Sequence, residues 1–278
     1  MKKLKKRWGR ILVFAIGFCI CLYPLVGSLI QRVGQQSLLS TYEKEEEKID
    51  TETMESELEK AREYNSMLYQ TQGVYVGDEA ASILSDESYE SLLNLTDSGI
   101  MGRIEIPKIN VDLPIYHGTE DDVLSKGIGH FKPSSLPVGG KSTRSVLTGH
   151  RGLPSSKLFT RLDEMEEGDY FFIEVCNETL AYKVNEIIEI KPEELSELQI
   201  EPDEDLVTLV TCTPYGINTH RLLVTGERVP YKESIKEEIQ PSFPSWREII
   251  FTILPFAFMV FVIVKTILEK RKEKKYEA

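Results

Sequence analysis

Hydrophobic residues are distributed unevenly along this chain, with two long apolar runs near the ends and short clusters between them. Residues 11–30 carry no charge, and residues 249–268 carry only Lys265. Because roughly 20 apolar residues form a helix that crosses a bilayer, the pattern predicts a transmembrane helix in each run. The alternatives are a cleaved signal peptide for the first run and a buried core helix for the second.

Basic residues lie on the outer side of both apolar runs. Residues 1–10 (MKKLKKRWGR) precede the first run, and residues 269–278 (EKRKEKKYEA) follow the second. By the positive-inside rule both termini are cytoplasmic, so we expect a two-pass protein of the cell membrane with an extracellular domain. The net charge of −12 is concentrated in that domain, and this acidity argues against nucleic-acid binding.

The segment after the first apolar run is polar. Residues 33–72 are rich in Glu, Lys, Gln and Ser, with Leu and Met at loose helical intervals, which predicts one or two exposed helices. Residues 73–99 are mixed, with a short helix predicted near residues 89–95. We interpret residues 33–99 as a helical spacer with a possible lid region, and residues 229–246 as a juxtamembrane linker.

From residue 100 the pattern changes to short alternating runs that are separated by Gly, Pro, Asn and Asp. Such runs, rich in Val, Ile, Tyr, Phe and Thr, predict β-strands. Short helices are predicted at 119–126 and 156–164. Many short strands with few helices indicate a mainly β fold over residues 100–228, either a barrel or a sandwich. The predicted strands are 101–106, 109–116, 144–149, 170–176, 180–190, 206–212 and 221–227.

Several kinds of site find no support in the sequence. The four histidines, His117, His130, His150 and His220, belong to no HExxH motif, and there is no CxxC pair for zinc. The phosphate-binding pattern GxxxxGK[ST] and the serine-hydrolase elbow GxSxG are also absent. We therefore expect no metal and no cofactor.

Cys212 is the remaining candidate for chemistry. It ends the predicted strand 206–212, where a nucleophile is held in place and is still open to a cleft. The thiolate is the attacking form, so it needs an adjacent base, and histidine is the usual partner. Taken alone, such a cysteine is more often a small buried apolar residue. Cys176 is predicted to lie mid-strand in the core, unless the two cysteines form a disulfide.

Two further residues could assist Cys212. His150 follows the strand 144–149 on a loop with Gly and Pro, where a catalytic base often lies. Arg221 opens the next strand after the connection TPYGINTH, so antiparallel pairing would bring it to the same rim as Cys212. Its guanidinium could stabilise an oxyanion there. A surface histidine and a salt-bridged arginine are the alternatives, and His220 would face the other way by strand alternation.

These segments together resemble those of sortases. TLVTCTPYGINTHRLLVTGER is similar to the Cys/Arg signature of that family, LTGHRGLPSSKLFTRLD to its catalytic His segment, and GRIEIPKINVDLPIYHGT to its early strands. The elements follow the family order over about residues 100–228. With two membrane spans, the chain resembles class C, the pilus-polymerising sortases of Gram-positive bacteria. The resemblance implies an eight-stranded β-barrel with Cys212 as nucleophile, His150 as catalytic histidine and Arg221 as catalytic arginine.

The resemblance also implies substrates and partners. Class C sortases cut surface proteins after the Thr of a C-terminal Leu-Pro-x-Thr-Gly-like sorting signal and hold the acyl group as a thioester. They then transfer it to an amine, typically a Lys of another pilin. A sortase that anchors proteins to the peptidoglycan precursor and an inactive scaffold that binds sorting signals are the alternatives. The usual lid motif, Asp-Pro-aromatic, is absent from residues 33–100, and Tyr89 is the nearest substitute for a residue over the cleft.

Overall fold

The structure, a computed structural model of the protein, describes residues 2–72, 83–96, 98–153, 156–243 and 246–277. Its contacts divide the chain into two compact units, one formed by Met1–Gln31 with Phe243–Ala278 and the other by Arg32–Ser242. The first unit contains both apolar runs. The second contains the polar middle region and all candidate site residues, so it is the unit in which the chemistry is sought.

Helices lie mainly before and after a block of strands. The described helices are α1 (Lys2–Glu46), α2 (Thr51–Thr71), α3 (Asp86–Ser91), α4 (Asp121–Leu124), α5 (Glu233–Glu238) and α6 (Trp246–Glu277). The strands are β1 (Ile100–Ile106), β2 (Val111–His117), β3 (Ile128–His130), β4 (Thr143–Thr148), β5 (Tyr170–Val175), β6 (Glu178–Ile190), β7 (Asp205–Thr213) and β8 (His220–Val229). Short 3-10 turns occur at Pro107–Ile109, Leu162–Glu164 and Ser196–Leu198, and only the last part of the helix predicted at 156–164 is helical.

In the first unit, α1 and α6 pack against each other through aromatic rings. The ring centroids of Phe14 and Phe258 are 5.5 Å apart, and those of Phe18 and Phe256 are 6.4 Å apart. Among the described residues, one helix is long and apolar enough to cross a membrane, and it is α1, whose most apolar window has a mean hydropathy of 2.3. This helix indicates a membrane anchor. The apolar stretch of α6 is shorter, so the second predicted span is not shown.

The strands of the second unit close into a barrel in the order β1-β2-β3-β4-β7-β8-β6-β5. The pairs β2–β3 and β4–β7 are parallel, and the other neighbours are antiparallel. Side chains fill the interior, as expected for eight strands. Fully buried examples are Ile104, Ile115, Leu147, Phe171, Leu209 and Val224. The eight-stranded barrel is therefore confirmed, and in this closed ring β7 lies opposite β1.

The sequence patterns missed one strand and misplaced one cysteine. β3 has only three residues, too few for an alternating pattern to be visible. Cys176 was predicted to lie mid-strand, but it follows the end of β5 and forms the turn to β6 with Asn177, where both residues have positive φ (46° and 59°). It is nevertheless buried, as expected for core packing, and both Cys176 and Cys212 are free thiols.

The prediction of exposed spacer helices over residues 33–72 is wrong for α2. Met54, Leu58 and Tyr64 of this helix are buried in the same apolar cluster as the barrel strands. The side chain of Asn65 adds two hydrogen bonds to the main chain of Leu136: its Nδ2 donates to the carbonyl oxygen (3.0 Å), and its Oδ1 accepts from the amide (2.7 Å). A paired buried amide of this kind fixes the position of a helix, so α2 belongs to the folded domain.

Candidate active site

Cys212 and Arg221 are direct neighbours across two strands. Cys212 is the penultimate residue of β7, and in the antiparallel ladder with β8 it is the register partner of Arg221. Side chains that are directly opposite in such a pair project from the same face, with Cβ atoms about 5 Å apart. His220 pairs instead with Thr213, on the other face, as strand alternation predicted.

His150 lies on the other side of Cys212, just beyond β4. The last pair of the parallel β4–β7 ladder is Thr148 with Val210, and the amide of Gly149 donates to the carbonyl oxygen of Val210 at 3.0 Å. Because the two strands are parallel, the position two residues after Thr148, which is His150, lies level with the position two residues after Val210, which is Cys212. The structure thus brings all three predicted site residues to the same end of three adjacent strands, β4, β7 and β8.

The face that carries Cys212 is the outside of the barrel. Along β7, Val207 and Leu209 belong to the interior cluster, whereas Val210 belongs to a second apolar cluster on the opposite face. Because side chains alternate along a strand, Cys212 shares the face of Val210. The second cluster comprises Val146, Ile190, Val210 and Leu223, with Phe131, Ile188 and Leu198 packed against it. Cys212 therefore lies at the end of an apolar strip on the barrel surface.

The three side chains differ in how they are held. The Cys212 thiol is free, and the residue is half-buried. Arg221 is also half-buried, and its Nη1 donates to the carbonyl oxygens of His220 (3.1 Å) and Asn218 (3.4 Å). His150 is half-buried, and its own carbonyl oxygen accepts from the amide of Phe159 at 3.1 Å. A thiol, an imidazole and a guanidinium are thus gathered at one end of the barrel, and these groups can act as nucleophile, proton carrier and fixed cation.

Sequence reasoning missed Arg151, the residue directly after His150. This arginine is only 7% exposed and lies within hydrogen-bonding distance of the main chain of Cys212. Arg151 stands next to His150 in the segment TGHRG, and this adjacency could have drawn attention to it. The sequence does not indicate, however, that this charged side chain is buried. In the part of the chain that the structure describes, no group of three or more His, Cys, Asp or Glu could hold a metal ion.

Tyr89 is not a cover for the cleft. Its ring is buried, packs edge-on against His117 with centroids 5.0 Å apart, and belongs to the interior cluster rather than to the outer strip. Its hydroxyl lies 2.9 Å from Nδ1 of His130 and accepts from the amide of Gly118 at 3.0 Å. Residues 73–82 and 97, the rest of the predicted lid region, lie outside the described residues.

The contacts of His130 assign the protons in this cluster. Burial lowers the pKa of His130 to about 4, so the ring is neutral near pH 7. Its Nε2 lies 2.8 Å from the carbonyl oxygen of Ser135, to which it donates. Nδ1 therefore accepts from the hydroxyl of Tyr89, which fastens α3 to the end of β3.

We expect Tyr89→Phe to lower the free energy of unfolding by about 1–3 kcal/mol, because the acceptor on His130 and the amide of Gly118 lose their partner. Urea denaturation measures this change. Catalytic constants should remain at the wild-type values, since the hydroxyl faces the interior. A protein of unchanged stability with a large loss of activity would contradict this assignment.

Comparison with known proteins agrees with this geometry. A protein-family model described as the sortase domain matches residues 104–229. The crystal structure of sortase C1 from Streptococcus agalactiae is 44% identical in sequence, with a TM-score of 0.64, and the match covers 71% of this chain and all of that one. Sortase C from Clostridium perfringens, solved with the C-terminal cell wall sorting motif, is 41% identical, with a TM-score of 0.61, over 70% of this chain and 99% of that one.

A curated relative matches over a shorter stretch. Sortase D of Bacillus subtilis is 33% identical over 131 residues, which is 46% of this chain and 63% of that protein. The match therefore spans less than two thirds of the relative's length. The barrel and the identity of more than 40% over nearly the full length of solved sortase C chains lead to one conclusion: this chain belongs to the sortase family of cysteine transpeptidases and is of the class C type.

Proposed function

We propose that this protein is a membrane-anchored transpeptidase that builds pili. It cleaves a Leu-Pro-x-Thr-Gly-like sorting signal after the Thr, holds the acyl group as a thioester on Cys212, and transfers it to a Lys amine of a pilin. The observation that carries this proposal is the register of β4, β7 and β8, which brings His150 and Arg221 to the two sides of Cys212. The similarity to sortase C chains supports the pilin acceptor.

In the first half-reaction the thiolate of Cys212 attacks the carbonyl carbon of the Thr–Gly bond. Negative charge then develops on the carbonyl oxygen, and Arg221 supplies a fixed guanidinium on the strand next to the nucleophile. The C–N bond breaks as the Gly amine takes a proton from His150, acting as general acid. The products are a Cys212 thioester and the released C-terminal part of the sorting signal.

The second half-reaction runs in the opposite sense with a new amine. A Lys amine is mostly protonated near pH 7, so it first loses one proton to solvent and then a second as its nitrogen attacks the thioester. His150 accepts the second proton as general base, and Arg221 again stabilises the oxyanion. The C–S bond breaks, the thiolate of Cys212 is regenerated, and an amide joins the Thr of one subunit to the Lys of another.

The apolar strip beside Cys212 supports a peptide with apolar residues as the substrate. Val210 and Leu223 lie next to the Cys212–Arg221 pair on the same face and are buried. Because they offer little surface themselves, we infer that the Leu and Pro of the sorting signal bury apolar surface against the half-buried side chains packed on them, which are Phe131, Ile188 and Leu198. The Clostridium perfringens enzyme, solved with a cell wall sorting motif, supports the same substrate class.

We further propose that α6 is a second membrane span and that both termini are cytoplasmic. The stretch Thr252–Leu268 is apolar, and it packs in one unit with the apolar part of α1. The basic clusters at residues 1–10 and 269–278 support this orientation by the positive-inside rule. The barrel then faces the outside of the cell, where sorting signals and pilin subunits are found.

One incubation tests the proposed function. The full-length protein in detergent micelles is mixed with a peptide that contains a Leu-Pro-x-Thr-Gly signal, together with a pilin-derived Lys peptide or a peptidoglycan-type amine, and the products are weighed by mass spectrometry. We expect the fragment that ends in Thr to be joined to the Lys peptide. Preferred transfer to the peptidoglycan-type amine would favour the wall-anchoring alternative, and an uncut sorting peptide would favour the inactive scaffold.

A further inference from the structure

We propose that Arg151, paired with Asp163, is a positioning residue that fixes the loop of His150 against the end of β7 that carries Cys212. This inference rests on the proposed function, because it concerns the rate at which these two residues react with the sorting signal. Arg151 contacts the main chain of Cys212 and not its thiol. We therefore assign it the role of positioning the reacting residues, without contact to the substrate.

The guanidinium of Arg151 bridges two supports of the site. Its Nη1 lies 3.4 Å from the carbonyl oxygen of Cys212 and 3.3 Å from the hydroxyl oxygen of Thr213, and it donates to both. Its Nη2 donates to the carboxylate of Asp163 in an ion pair, and the side chain of Arg151 is only 3% exposed. A single side chain therefore holds the strand of the nucleophile and the segment that contains Asp163.

The loop of His150 is attached to the same two supports through its main chain. The hydroxyl of Thr211 on β7 donates to the carbonyl oxygen of Gly149 at 2.7 Å. On the other side, the amide of Phe159 donates to the carbonyl oxygen of His150, and the amide of Gly152 donates to the hydroxyl of Thr160 at 3.3 Å. Among the described side chains of this loop, that of Arg151 contacts both supports at once.

The β7–β8 connection is held by the same residue. The guanidinium carbon of Arg151 lies 5.8 Å from the ring centroid of Tyr215, a cation–π distance. Gly152 has φ +81°, and a Cβ at this position would come within 3.3 Å of the same ring. The connection that leads from Cys212 to Arg221 therefore rests on the loop of His150, so displacement of that loop would disturb all three site residues.

The burial of the Arg151 guanidinium costs free energy, which would be unexpected for a residue that has no role in the site. Burying a guanidinium is unfavourable unless a carboxylate and further acceptors meet it, and here one of those acceptors belongs to the nucleophile itself. Reaction rates depend steeply on the placement of reacting groups, and a shift of about 1 Å can reduce the rate roughly 100-fold. Loss of Arg151 should therefore lower kcat and leave the binding of the sorting signal nearly unchanged.

The test compares Arg151→Met with Arg103→Met in the full-length protein. Arg103 lies on β1, opposite β7 in the barrel, and pairs with Glu43, Asp112 and Glu174, so its removal is a matched loss of a partly buried cation. Steady-state cleavage of a sorting-signal peptide gives kcat and KM, and thermal unfolding is followed for each variant. We expect kcat of Arg151→Met to fall about 30- to 100-fold with KM within about 3-fold of the wild type. Arg103→Met should lose stability and keep kcat.

Two conservative variants keep the test decisive if Arg151→Met does not fold. Arg151→Lys retains the charge and one donor group, and Asp163→Asn retains an acceptor of the same shape, so each should lower kcat by a smaller factor at unchanged KM. Wild-type kcat in all folded variants, or a loss that appears entirely in KM, would overturn the proposal for Arg151. If the wild-type protein itself forms no thioester, the proposed function fails, and this proposal fails with it.

Discussion

Replacement of Cys212 by alanine should abolish thioester formation and transfer, with less than about a thousandth of the wild-type rate remaining. The acyl group needs an atom that can attack a carbonyl and later leave, and the free thiol at the end of β7 provides it. Incubation with a sorting-signal peptide, acid quenching and intact-protein mass spectrometry detect the thioester as an added mass. Cys212 does not pair in a disulfide, so the variant should fold normally, which circular dichroism can confirm.

Cys176→Ala is the matched control for this result. Burial raises the pKa of the Cys176 thiol to about 12, with a smaller contribution from the nearby charge of Glu46, so this thiol stays protonated near pH 7. It lies in the turn between β5 and β6 and not on the strip beside β7. We expect this variant to be less stable but fully able to form the thioester. Substantial turnover by Cys212→Ala would refute the assignment of the nucleophile.

His150→Ala should slow cleavage of the Thr–Gly bond by about 100- to 10,000-fold. The reason is specific, since the departing amine must be protonated and His150 is level with Cys212 on the neighbouring strand. A sorting-signal analogue with a thioester in place of the Thr–Gly amide releases a thiolate, which leaves without a proton. We therefore expect His150→Ala to lose a much smaller factor in acyl-enzyme formation on this analogue than on the amide, because only the activation of the thiol is then missing.

The control for His150 is His220→Ala. His220 is also half-buried and lies beside Arg221, but it pairs with Thr213 on the opposite face, and its Nδ1 lies 3.0 Å from the hydroxyl of Thr219. The His220→Ala variant should react with the amide substrate and with the thioester analogue at the wild-type rates. If His150→Ala acts equally slowly on the amide and on the thioester, protonation of the leaving group is not the function of His150, and its role must lie in activation of the thiol.

Local pairing explains which parts of the site were predictable. Cys212 and Arg221 are joined by a short connection, so antiparallel pairing between neighbouring strands was sufficient to bring them to one rim. The alignment of His150 depends on the parallel pairing of β4 with β7, which joins segments about 60 residues apart. No local pattern specifies such a pairing, and only the resemblance to sortases indicated it.

Burial of polar residues was the main feature that could not be predicted. Tyr89 and Arg151 resemble surface residues when their neighbours in sequence are considered alone. Their burial depends on distant partners, His130 for the first and the main chain of Cys212 for the second. In both cases a hydrogen-bond acceptor far along the chain makes burial favourable. The periodicity of hydrophobic residues does not identify that acceptor.

The docking of α2 also bears on how the chain reaches its folded state. Synthesis proceeds from the N-terminus, so α2 is made before every strand on which it packs, and the partner of Asn65 lies 71 residues further along. Until those strands follow, the apolar side of the helix has nothing to cover it. The opposite side carries exposed glutamates, which repel one another and other acidic chains: Glu52, Glu55, Glu59 and Glu63. These glutamates, which made the helix resemble an exposed spacer in the sequence, thus keep α2 soluble until the barrel strands have been synthesised.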